Sequence, residues 1–106
     1  MRKTISTELG GYTKISNDII DHAMPLCRSS TMKIILVVLR LTEGKYNNYA
    51  EISLADFLNL TGIIKKETVA RAVQEALDGE YIVRVPSGNN NGYKYAMGVD
   101  YVSIDE

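Results

Sequence analysis

Two helical patterns joined by a glycine turn, and followed at once by strand, turn and strand, fill residues 52–97 and leave this chain few folds. The first is Ser53-Leu54-Ala55-Asp56-Phe57-Leu58-Asn59, where Ser53 with Asp56 three residues later resembles a capping box, Asp replacing the usual Glu or Gln. Leu60-Thr61-Gly62-Ile63 reads as the turn, Gly62 supplying the sharp reversal that two steeply crossing helices need. The second runs from Ile64 to Leu77. Its Val69, Ala72, Val73, Ala76 and Leu77 fall at i, i+3, i+4, i+7 and i+8, which predicts one core-facing stripe.

Gly79 is placed to end that helix, and residues 81–85, rich in β-branched and aromatic side chains, predict a strand. Pro86-Ser87-Gly88-Asn89-Asn90-Asn91-Gly92 is a turn-forming cluster, and residues 93–97 read as the returning strand. A helix-turn-helix followed by a hairpin is an α+β winged helix-turn-helix, expected here with three or four helices and a small antiparallel sheet.

The first half fits the same domain. Ser16 reads as an N-cap, Ile15 and Ile20 as a hydrophobic staple, and Ile19, Ile20, Ala23 and Met24 as the buried face of a short helix ended near Pro25. Residues 31–43 have local β character, but their length favours a helix closed by Gly44, and apolar residues all round predict central burial. After the loop 45–48, residues 49–52 suit an edge strand pairing with the wing. The expected organisation is an arm over 1–10, the winged helix over 11–98 and a tail over 99–106.

At 100° per residue the face of the second helix opposite its core stripe carries Glu67, Arg71, Gln74 and Asp78, with Lys65, Lys66 and Thr68 around its start. Arg forks onto guanine, Gln onto adenine, and Glu accepts from cytosine, whereas Lys and Thr beside a helix N-terminus suit phosphate oxygens. Lys65, Lys66, Glu67, Thr68, Arg71 and Gln74 are therefore candidate contacts to double-stranded DNA. The small polar tip Asn89, Asn90 and Asn91 and the wing residue Lys94 join them. Each has a plainer structural role beside it: Glu67 and Arg71 form a favourable i,i+4 surface pair, and Asn and Gly are what turns prefer.

A chain of 106 residues with 45% hydrophobic content supports one domain with one modest core. No nucleophile elbow, phosphate-binding loop or zinc-ligand spacing accompanies the single His22 and single Cys27, so neither an enzyme nor a metal or other cofactor is expected. Cys27 reads as a small core residue and His22 as a helix-surface one. No signal segment or membrane span is apparent, and a cytoplasmic location is expected. A net charge of −1 is low for a protein held by phosphates, but its distribution is uneven. Arg28, Lys33, Arg40, Lys45, Lys65, Lys66 and Arg71 outnumber the acids between them, whereas Glu75, Asp78, Glu80, Asp100, Asp105 and Glu106 weight the remainder. A basic reading face and an acidic back follow from that division.

The order Tyr12-Thr13-Lys14-Ile15-Ser16-Asn17-Asp18-Ile19-Ile20-Asp21, the apolar helix, Glu51-Ile52-Ser53-Leu54, and residues 61–72 together resemble the amino-terminal domain of phage replication protein O. The resemblance covers roughly 11–97, with Lys65 standing where a Ser often caps the second helix. It implies double-stranded DNA binding at a replication origin of phage or plasmid type. In that family a separate carboxy-terminal part recruits the replicative helicase, and such a part is not expected within these 106 residues. A transcriptional regulator of the same fold is the alternative. So is a protein-interaction winged helix in replisome assembly, in which Tyr93, Tyr95 and Tyr101 would meet a helicase or helicase loader.

Overall fold

The computed structural model describes residues 11–88 and 92–102. The elements are a single π-spaced helical turn α1 (Ile19–Ala23), α2 (Ser29–Thr42), β1 (Ala50–Glu51), α3 (Leu54–Thr61), α4 (Lys66–Asp78), β2 (Ile82–Pro86) and β3 (Tyr93–Met97). A 3₁₀ turn, Val99–Tyr101, follows. The strands form one antiparallel sheet in the order β1-β3-β2, so helices followed by a small wing sheet make up an α+β winged helix-turn-helix. The two-residue edge strand β1 pairs with the wing through Ala50 opposite Tyr95 and Glu51 opposite Lys94.

The N-cap of α1 is Asp18, without a side-chain cap, rather than the expected Ser16, whose hydroxyl accepts the Asp18 amide at 3.2 Å one turn ahead of the helix. Only Ile19 and Ala23 are buried there; Ile20 and Met24 are exposed, as is Ile15, against the expected four-residue face and staple. One turn offers one row of side chains to the core, and the adjacent row is left to solvent.

Helix formation wins over the local β preference in α2 because packing against α3, α4 and β3 rewards it. Thr31, Ile34, Ile35, Val38, Leu39 and Thr42 are buried, but Leu36 and Leu41 are exposed, so burial is one-sided rather than all round. The Thr42 hydroxyl donates to the Val38 carbonyl at 2.8 Å, and the helix reverses through Glu43 at φ 57°.

The capping box of α3 is complete: the Ser53 hydroxyl accepts the Asp56 amide and the Asp56 carboxylate accepts the Ser53 amide, both at 3.0 Å. Ser53→Ala is expected to lower stability by about 0.5–2 kcal/mol in urea denaturation. An unchanged midpoint would show that water replaces the cap at no cost. Leu60 and Thr61, read as turn, complete α3, and Gly62 takes the left-handed conformation (φ 76°) that ends it.

α4 begins two residues later than the spacing suggested: the backbone is still extended at Lys65 (φ −92°, ψ 128°), which leaves Ile64, 91% exposed, ahead of the helix. Its stripe is as expected: Val69, Ala72, Val73 and Ala76 are buried and Leu77 is half-buried against the core. The reversal after α4 falls on Glu80 (φ 62°) rather than Gly79. Gly79 is needed for closeness, since a Cβ there would lie 2.4 Å from the Tyr81 ring. Among the described residues no helix is long and apolar enough to cross a membrane.

Candidate nucleic-acid interface

The start of α4 is an open helix end. Lys65 occupies the N-cap with extended backbone and no side-chain cap, and its carbonyl accepts the Thr68 and Val69 amides at 3.1 and 3.2 Å. The amides of Lys66 and Glu67 precede the first intrahelical bond. Lys65, Lys66 and Glu67 are exposed, Thr68 is half-buried, and neither lysine has an ion-pair partner among the described residues. Two unpaired cations at the positive end of a helix oppose its dipole. Only Glu67 there favours it.

Arg71 does not pair with Glu67. Its Nη2 donates to the Ser30 hydroxyl at 3.2 Å, and its Nε lies 3.7 Å from Glu75 Oε2. The reason is tertiary. Glu75, four residues on in α4, accepts from the Thr31 hydroxyl at 2.7 Å and sits 3.5 Å from Arg28 Nε, so this carboxylate, held against the start of α2, and the Ser30 hydroxyl there draw the guanidinium away from Glu67. Arg71 therefore ties α4 to α2 while its side chain stays 45% exposed. Gln74 donates to Asp78 at 2.8 Å, one turn further along the same face.

Beside this face lies a groove of about 480 Å³ between α4, the start of α3 and the wing, with Val69, Ala70, Val73 and Gln74 on the helical side. Arg84, Tyr93 and Tyr95 form the wing side. Arg84 was not selected from the sequence, although it lies where the helix and wing converge. Strand register explains its position: Arg84 pairs with Tyr95, so it shares the sheet face of that buried ring, and its guanidinium sits 4.0 Å above the Tyr93 ring. This geometry orients the cation by a cation–π contact. The same alternation places Lys94 on the other face, across from Glu51 and Val85. The two wing cations thus point to opposite sides of the sheet.

Asn89, Asn90 and Asn91 lie outside the described residues. Of the tyrosines weighed as a protein-contact surface, Tyr95 is buried edge-on to Phe57, and Tyr101 is half-buried with its ring centroid 5.3 Å from that of Tyr81. Tyr93 alone of the three is exposed.

Cys27 packs partly buried against the core, and burial pushes its thiol up from the ordinary value, opposed by a hydrogen bond with Tyr81 and aided by the Glu75 charge. The neutral thiol is the poor nucleophile expected of a structural residue. His22 sits on the surface with Nδ1 3.3 Å from Asp18 Oδ1. Among the described residues no cluster of His, Cys, Asp and Glu is arranged to hold a metal ion.

Comparison of the chain with protein-family models, curated proteins and solved structures finds no match.

Proposed function

We propose that this protein binds double-stranded DNA, with α4 as the recognition helix and the wing as its flank. The observation that carries the reading is the start of α4: a helix end without a side-chain cap, bearing two exposed lysines that have no ion-pair partner among the described residues and stand against the helix dipole. A chain that breaks a local rule this way gains from it elsewhere, and phosphate oxygens are the ligand such an end suits. In this reading Lys65, Lys66 and the first amides of α4 hold phosphates. Glu67, Arg71 and Gln74 face the major groove, and Arg84, steadied on Tyr93, meets the backbone flanking it. Replication initiation at a phage or plasmid-type origin is the context we propose, and it rests on the residues that resemble the replication protein O domain.

Titration with random duplex DNA at two salt concentrations tests it. Non-specific affinity is expected on the order of 10⁻⁴–10⁻⁶ M at physiological salt and stronger below it. Binding indifferent to salt, or none at low salt, refutes the proposal.

A further inference from the structure

One-sided burial leaves α2 with a second stripe. Lys33, Leu36, Val37, Arg40 and Leu41 stand at i, i+3, i+4, i+7 and i+8 and, with Leu60 of α3, line a groove of about 370 Å³. Its walls are apolar and open: Leu36 and Leu41 are each 40% exposed and Leu60 56%. Exposed apolar surface rimmed by polar side chains is the kind of surface that interaction sites use. The rim here has one sign. Lys33 and Arg40 are exposed without an ion-pair partner among the described residues, and no carboxylate lines the groove.

We infer that the groove between α2 and α3 docks an acidic amphipathic helix of a partner protein. The apolar wall fits helix-in-groove recognition by residues at i, i+3, i+4 and i+7. The two rim cations are seven residues apart, roughly 10 Å along the helix, a span matched by carboxylates two turns apart on a helix laid alongside. A second copy of this chain does not meet that requirement. Apposing two such grooves brings both pairs of cations together with no carboxylate between them, and like charges at an interface repel. Duplex DNA offers the charge but nothing for the leucines to bury. The groove uses none of Lys65, Lys66, Arg71, Gln74 or Arg84, so the inference stands apart from the DNA reading.

The probe is a fluorescently labelled designed peptide of about five helical turns, with Leu at i, i+3, i+4 and i+7 and flanking Glu two turns apart. A twin carries Lys at every Glu. Fluorescence anisotropy is expected to show the acidic peptide binding about tenfold or more tightly than the twin. Lys33→Glu combined with Arg40→Glu changes only exposed side chains and should reverse the preference. Leu60→Gln should weaken both peptides, with circular dichroism confirming that each variant stays folded. The inference is overturned if neither peptide binds, if both bind the parent alike, or if the double variant keeps the parent's preference. It is also overturned if sedimentation shows a dimer that Leu60→Gln dissolves, which gives the groove to a second copy. Loss of duplex affinity in the double variant without a change in peptide binding gives the rim to DNA instead.

Discussion

Phe57→Ala is expected to remove about 3–5 kcal/mol of stability, the usual cost of emptying an aromatic site in a core. The ring is 2% exposed and meets Tyr95 edge-on at 5.3 Å, in a cluster joining α2, α3, α4 and the sheet. Two terms add: the apolar area returned to water on unfolding is lost, and the void left beside Tyr95 forfeits its contacts, including an aromatic pair. A domain this size has a net stability of roughly 5–15 kcal/mol, so the variant is left marginal, and Tm should fall by roughly 12 °C or more. Phe57→Leu, which keeps apolar volume, should cost much less. The same ring contributes to the groove between α4 and the wing, so the alanine variant should also loosen that surface. A loss below about 1 kcal/mol would show that the site collapses around the gap and that Phe57 is not central.

Where the sequence was legible, the deciding interactions were local. The Ser53 and Asp56 cap closes within one turn, Gly62 answers a backbone requirement of its own, and the stripe of α4 follows from helical period. Hairpin and edge strand were readable because β character and turn residues alternate along the chain. What escaped depends on partners distant in sequence. Arg71 takes Glu75 rather than Glu67, each four residues away, because Ser30, 41 residues distant, and Thr31 gather beside Glu75, and no rule about i,i+4 pairs decides between the two. Arg84 lies over the groove and Lys94 does not because of a one-residue difference in register, invisible until β2 and β3 are paired. The expected all-round burial of α2 failed for a related reason. Composition gives how apolar a helix is but not how many neighbours it has, and here solvent occupies the side with Leu36 and Leu41.

Replacing Lys65 and Lys66 together by Glu is expected to move folding and DNA binding in opposite directions. Both residues sit at the N-terminal end of α4, where the dipole is positive and no side chain caps the helix. Carboxylates there should leave stability unchanged or raise it, each by about 0.3–1 kcal/mol at low ionic strength. If the two lysines hold phosphates, losing them removes two counterion-releasing contacts. The slope of log affinity against log salt should then flatten by about two, and affinity at 0.1 M salt should fall roughly 60-fold before any repulsion is counted. The loss should be uniform across duplex sequences, because phosphates carry no base identity. A general weakening of the fold cannot imitate this result, since it would lower Tm along with affinity. Equal affinity in parent and variant would mean that the lysines are solvated ornaments of an open helix end, and the strongest support for α4 as a recognition helix would be gone.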